Sequence, residues 1–328
     1  MTHDLPDYSD VESAARQLNG VASKTPLIRN AFLDQQVGVP VFVKCEPLQL
    51  TGSFKIRGAY NRLSRLSEAE RTSGVVAFSS GNHAQGVARA AKLIGMPATI
   101  VMPSDTPNVK IEGVRRDGAE IIFYDRFTEN REEIAQAFSE RTGAIVVPSY
   151  DDPYIISGQG TCGLEIVDQY PESEPPQALL CCVGGGGLIA GVSLAIHQHW
   201  PETKIYGVEP KDFDDTARSL SSGEFEINSS TARSICDALL SPSPGKLTFA
   251  INKDHLSGVA LVSDDEVKNA MRFAFLHLKT VVEPGGVAAL AALLSGKVKP
   301  ISDRAIVVVM TGGNVDPEQY ADILALTS

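Results

Sequence analysis

Short apolar runs rich in β-branched residues recur along the chain at 39–44, 74–78, 98–102, 119–124, 144–147, 178–183, 204–208 and 304–310. They are apolar on both faces, which predicts strands covered on both sides. Most are followed within a few positions by Gly, Ser, Pro or Asn. Between them lie segments with helical spacing of apolar positions, clearest at 82–93, 129–140, 188–197 and 265–278. Ser263 and Glu266 stand at capping-box spacing before the last of these. Strands alternating with helices in this way predict the α/β class, with mostly parallel sheets flanked by helices. In an open parallel sheet the ligand sits beyond the carboxyl ends of the strands, so the loops after these runs are where chemistry is expected. The polar, proline-rich stretch 170–177 reads as a connector.

Composition narrows the picture. The chain has 328 residues, 43% of them hydrophobic, enough for a two-lobed unit with a sizeable core. A formal net charge of −11 with no long basic run argues against nucleic acid as a partner, so any anionic ligand must be held locally. The acidic start of the chain lacks the basic and apolar regions of a signal peptide. The five cysteines have no C-x-x-C spacing, which fits buried reduced thiols in a cytoplasmic protein. Residues 178–200 carry no Asp, Glu, Lys or Arg, but four consecutive glycines interrupt them, so no membrane span is expected.

Those glycines are the sharpest local signal. A strand ending at Val183 runs into Gly184, Gly185, Gly186 and Gly187, and a helix pattern follows from Leu188. Glycine lets a backbone approach an anion and offer it several N–H groups, and a helix start adds a favourable dipole. The loop lacks both the Lys-Ser/Thr ending of a nucleotide P-loop and the spacing of a dinucleotide fingerprint, so a lone monophosphate fits it better. A plain tight turn is the alternative. Lys55 follows Thr51-Gly52-Ser53 at an expected helix start. Alone it reads as a surface lysine. Beside a phosphate cup it has the pairing needed for a Schiff base with pyridoxal phosphate.

Six motifs in order carry a resemblance: Ser53-Phe54-Lys55-Ile56-Arg57-Gly58, Ser79-Ser80-Gly81-Asn82-His83, Gly158-Gln159-Gly160-Thr161, the four glycines, Glu283-Pro284 and Thr311-Gly312-Gly313-Asn314. Together they resemble the threonine dehydratase and serine racemase family of pyridoxal-phosphate enzymes over essentially the whole chain. The resemblance implies two lobes, each a mostly parallel twisted sheet flanked by helices, with the cofactor in the cleft between them. Residues 1–50 with 150–328 would form the large cofactor-binding domain and 51–149 the small one. It implies Lys55 as the Schiff-base lysine and the base for the Cα proton, and Phe54 flanking the ring. Asn82 would bond the ring hydroxyl, Thr311 would face the pyridine nitrogen, and Gly184 to Gly187 with Leu188 would hold the phosphate. Ser79, Ser80, Gly81, Asn82 and His83 would bind the substrate, with Ser80 acting on the face opposite Lys55. Glu209, Asp215 and the carbonyl of Phe213 resemble a site for Mg2+ or Ca2+.

The reaction so implied is loss of water and ammonia from L-threonine or L-serine, leaving a 2-oxo acid, in a homodimer acting on small amino acids. Racemisation of serine is the alternative that Ser80 leaves open. Arg131 leaves open 3-hydroxyaspartate, although an exposed helix residue is its simpler reading. A non-catalytic binder of a phosphorylated metabolite would keep the glycines without needing Lys55. The chain departs from the family pattern at Ala238, where an added methyl would narrow the space beside the ring. It also departs at Pro148-Ser149, followed by Tyr150, which would pack on the cofactor's outer edge.

Overall fold

The computed structural model describes residues 5–79, 81–106, 108–125 and 128–325. In chain order the first elements are α1 (Tyr8–Leu18), β1 (Leu27–Arg29), α2 (Ala31–Val37), β2 (Val41–Cys45), α3 (Lys55–Leu63) and α4 (Glu68–Ser73). There follow β3 (Val75–Phe78), α5 (Asn82–Ile94), β4 (Ala98–Pro103), α6 (Asn108–Arg116), β5 (Glu120–Tyr124), α7 (Arg131–Thr142), β6 (Ile145–Val146) and α8 (Pro153–Gln169). The last part holds β7 (Ala178–Cys182), α9 (Gly187–His199), β8 (Lys204–Pro210), α10 (Asp215–Ser222), α11 (Lys246–His255) and β9 (Gly258–Val262). It closes with α12 (Asp264–Phe273), α13 (Pro284–Leu294), β10 (Ile306–Met310) and α14 (Pro317–Ala325).

The strands form two sheets. The larger has the order β1-β2-β10-β7-β8-β9, parallel except for β1, and the smaller has the order β5-β4-β3-β6, parallel throughout. All eight predicted runs are strands of these sheets. The central ones are buried along their whole length, as β7 and β10 show, because helices cover both faces. On the larger sheet α13 and β10 share one core while α9 and β7 share the core on the other face. A separate core gathers Ile56 of α3, Val87 of α5, Ile100 of β4 and Ile155 of α8 beside the smaller sheet.

Two edge strands were not foreseen. β1 is a three-residue antiparallel strand, and β9 is mostly half-buried, so neither carries the continuous apolar run of a covered strand. The helix expected over 265–278 starts on the predicted capping box but ends at Phe273, continues as a π-helical turn over Ala274–Leu278, and stops at Lys279 in the left-handed region. Among the described residues no helix is long and apolar enough to cross a membrane, and the charge-free stretch is β7, the glycine loop and α9. All five cysteines are buried free thiols, and burial pushes Cys45 and Cys236 up to about 12.

Candidate active site

A cavity of about 590 Å3 opens where the carboxyl ends of four strands meet, two from each sheet: β3 and β6 from the smaller, β7 and β10 from the larger. Phe78 and Ser79, Pro148 and Ser149, Gly184 and Thr311 line it just past those strand ends. Lys55, Phe54, Asn82, Gly185 to Leu188 and Glu283 share it. Residues distant in sequence thus converge because parallel strands deliver their following loops to one side.

Lys55 reaches the cavity from the first residue of α3. The segment before it is laced to the loop after β10: Ser53 bridges Gly312, the Phe54 N–H donates to the Thr311 carbonyl at 3.1 Å, and the Gly313 N–H donates to the Gly52 carbonyl at 2.8 Å. This lacing fixes the start of the lysine helix against the Thr311 loop. The Lys55 amine donates to the Ser149 carbonyl at 2.7 Å and lies 5.2 Å from the Phe54 ring centre. Burial pulls its pKa down to about 8, against the upward pull of Cys182 and Glu283.

Two helix starts point into the same space. Six helices close their first turn with the side chain of the residue before it: Asp7 on α1, Asn30 on α2, Ser67 on α4, Asn130 on α7, Asp152 on α8 and Ser263 on α12. Like α3, α10, α11 and α13, the helices α5 and α9, which begin after Gly81 and Gly186, have no cap from the side chain of the residue before them. Their leading N–H groups and positive dipole ends are therefore left for an external anion. At α9 the Thr248 hydroxyl donates to the Gly185 carbonyl at 2.7 Å, and the Gly186 carbonyl receives the Ala190 N–H at 3.0 Å. In a trans peptide the following N–H points opposite to such a carbonyl, so the N–H groups of Gly186 and Gly187 turn the other way. Gly186 sits at φ 89°, a conformation that favours glycine.

The remaining predicted residues fall as follows. Asn82 is buried and donates to Glu283 Oε1 at 2.6 Å, while its own carbonyl oxygen receives Asn314 Nδ2 at 2.8 Å. Burial, then repulsion from Asp237, pushes Glu283 up to about 8, so its carboxyl is readily protonated near neutrality. Thr311 is buried with its hydroxyl 3.4 Å from the Cys182 thiol. Ser79 accepts the Gly81 N–H at 3.2 Å, which shapes the turn into α5. Ser80 lies outside the described residues. His83 lines the cavity, but its Nε2 is 3.0 Å from the Val147 carbonyl, and burial followed by the Lys55 charge pulls it down to about 3. It is a neutral ring and not a cation for a carboxylate. Tyr150 lies on the Gly185 α-carbon, and both Tyr150 and Ala238 line the cavity.

Glu209, Phe213 and Asp215, the residues expected to hold a cation, lie at the end of β8 and the turn into α10. Among the described residues no three His, Cys, Asp or Glu side chains gather around a common point. Both oxygens of Glu209 accept N–H groups at the start of α10, from Thr216 at 3.0 Å and Ala217 at 2.9 Å, so this carboxylate already serves as a helix cap. Asp215 accepts Asn228 Nδ2 at 2.5 Å, and Phe213 enters as a buried ring. Several residues of the site escaped the sequence reading: Ser241 beside Gly184 and Lys110, which pairs with Asp237 at 2.5 Å, line the cavity, while Thr248 and Asn252 bond to the glycine loop from behind. They lie in segments with no periodic or glycine signal of their own.

The site suits pyridoxal phosphate. A glycine loop backs an uncapped helix start that suits its phosphate, a lysine with a lowered pKa lines the same cavity and suits its aldehyde, and Asn82 and Thr311 bring hydrogen-bonding side chains to that cavity. Comparison with known proteins agrees along the chain. Residues 18–312 match the family described as pyridoxal-phosphate dependent enzyme. An L-threo-3-hydroxyaspartate ammonia-lyase from Pseudomonas sp is 45% identical, covering 98% of this chain and 99% of its own. A serine racemase from Schizosaccharomyces pombe is 40% identical, with 98% of each chain covered. The structure of maize serine racemase superposes with a TM-score of 0.92 at 37% identity, covering 97% of each chain. On fold, site and sequence alike, the protein belongs to the pyridoxal-phosphate dependent enzymes, in the group that contains these ammonia-lyases and racemases.

Proposed function

We propose that the protein is an ammonia-lyase for a β-hydroxy amino acid and that its preferred substrate carries a second carboxylate, as 3-hydroxyaspartate does. Pyridoxal phosphate, when bound, supplies an aldehyde for amines and a conjugated ring that draws electrons from the substrate α-carbon. The chain's own residues do the rest. The loop from Gly184 to Leu188 receives the phosphate, and the uncapped start of α5 after Gly81 receives the substrate α-carboxylate. Lys55, once its amine is free, takes the α-proton, because a pKa near 8 leaves part of it neutral at physiological pH. Thr311 offers the ring nitrogen only a neutral hydroxyl, which favours expulsion of the β-hydroxyl over a long-lived carbanion. The products are ammonia and a 2-oxo acid.

The observation that carries the substrate assignment is Arg131. It opens α7, lines the cavity, and holds its guanidinium 5.5 Å from the Phe78 ring centre. With two helix starts committed to the phosphate and the α-carboxylate, this guanidinium is available for a further carboxylate. The name of the 45% identical relative supports the same substrate. The test is a product assay on L-threo-3-hydroxyaspartate, L-threonine, L-serine and D-serine. The expected outcome is fastest turnover of the dicarboxylate, with Arg131→Met raising its KM by roughly 10- to 100-fold, the worth of one charge-assisted bond, and leaving that for L-serine within about twofold. Faster turnover of L-threonine, or an equal KM change for both substrates, would return the assignment to monocarboxylic amino acids. Net conversion of L-serine to D-serine would make racemisation the main activity.

A further inference from the structure

The four residues from Ser149 to Asp152, between β6 and α8, each hold a different part of the site. The Ser149 carbonyl accepts the Lys55 amine at 2.7 Å. The Tyr150 ring lies against the α-carbon of Gly185, so close that a methyl group there would overlap three ring atoms. Asp151 caps α11, accepting the N–H groups of Lys246, Leu247 and Thr248 at 2.9, 2.8 and 3.2 Å. Asp152 caps α8 and pairs with Arg62 of α3 at 3.0 Å.

Two of these contacts converge on one peptide. α11, anchored by Asp151, carries Thr248, whose hydroxyl donates to the Gly185 carbonyl. Tyr150 presses on the same residue from its α-carbon side. A glycine is the most freely rotating residue in the chain, and four in a row would sample many backbone states if nothing held them. An anion cup works only when its N–H groups already converge, because ordering them on binding costs affinity. Thr248 fixes where the carbonyl points, and the tyrosine ring removes the space into which the glycine would rotate.

We propose that Tyr150 is a positioning residue for the glycine loop: its ring holds Gly185 so that the N–H groups after it face the phosphate of the cofactor. The inference rests on the pyridoxal-phosphate reading above. It assigns the ring, and not the hydroxyl, as the working part of the side chain. Because Ser149 holds the lysine amine next door, one short segment sets both ends of the cofactor's site.

The experiment compares apoprotein affinity for pyridoxal phosphate and for pyridoxal, which lacks the phosphate, by equilibrium dialysis. Wild type should prefer the phosphorylated form strongly. Tyr150→Ala should shrink that preference by about tenfold or more, the scale of one lost charge-assisted bond, while Tyr150→Phe stays within about twofold. Gly185→Ala, with the tyrosine in place, should shrink it too, since its methyl meets the ring, and the double variant should be no worse than the worse single one. A general loss of folding would weaken both ligands together and leave their ratio unchanged. An unchanged preference in Tyr150→Ala, or an equal loss in Tyr150→Phe, overturns the proposal. If Tyr150→Ala does not fold, an unchanged preference in Gly185→Ala overturns it instead. A wild type that binds both forms equally overturns the phosphate cup itself, and the role of Tyr150 with it.

Discussion

An ammonium group moved from water into this cavity loses hydration that the Ser149 carbonyl replaces only in part, which is why burial lowers the Lys55 pKa from 10.5 to about 8. Between those two values the unfolded chain still binds a proton that the folded one has released, so folding becomes more favourable as pH rises from about 8 to 10.5. Below about 8 both states are protonated and the folded apoprotein bears the whole cost. Lys55→Met should therefore stabilise the apoprotein near pH 7 by about 1 to 3 kcal/mol, each pKa unit being worth about 1.4 and the total reduced because part of the side chain faces solvent in the cavity. The gain should shrink at about pH 9.5, as read from urea unfolding at the two pH values. A gain that does not change with pH would mean that the ammonium is well solvated in the cavity.

At the scale of elements, the proposed function rests on the uncapped starts of α5 and α9 at the cavity. Nothing lies within 4 Å of where a Cβ on Gly81 would point. Gly81→Asp should then cap α5 and raise stability by about 1 kcal/mol, while placing a carboxylate where the substrate carboxylate docks. The expected result is a higher midpoint of thermal unfolding together with a KM raised by at least about tenfold. A stabilised variant with an unchanged KM would show that the substrate does not use this helix start. The same elements show what the sequence makes legible. Covered strands announce themselves because both faces must be apolar, and the glycine loop because no other residue fits it. That Glu209 also accepts the N–H groups at the start of α10 was not legible, because a buried carboxylate capping a helix start has no sequence pattern of its own. The contact between Tyr150 and Gly185, or Thr248 and Gly185, depends on how α8, α9 and α11 pack, which leaves no local trace.

Across the whole molecule, the lysine helix is held by a buried network of charges that joins α3 to β2, the turn after it and α8. Arg57, two residues after Lys55, is 1% exposed; it donates to both oxygens of Glu46 at 2.8 Å and to both oxygens of Glu165 on α8 at 2.7 and 2.9 Å. Lys44 of β2, fully buried, donates to the same Glu165 at 2.6 Å. Two cations and two carboxylates balance, so each charge is compensated only while the others stay in place. Burial alone would raise the Glu46 pKa, but Arg57 and Thr25 reverse this and hold it below its ordinary value. In the wild type Glu46 thus adds stability above the ordinary carboxylate pKa and loses it as pH falls through the lowered one. Arg57→Met removes the opposing charge, leaving burial in control, and the sign inverts: the variant should lose stability as pH rises above about 4.5. We expect a cost of about 3 to 5 kcal/mol near pH 7.5, smaller near pH 5, with Arg57→Met/Glu46→Gln recovering part of it. Urea unfolding at the two pH values decides the matter, since a cost that is equal at both, with no recovery in the double variant, would reduce Arg57 to a packing residue and detach the lysine helix from this network.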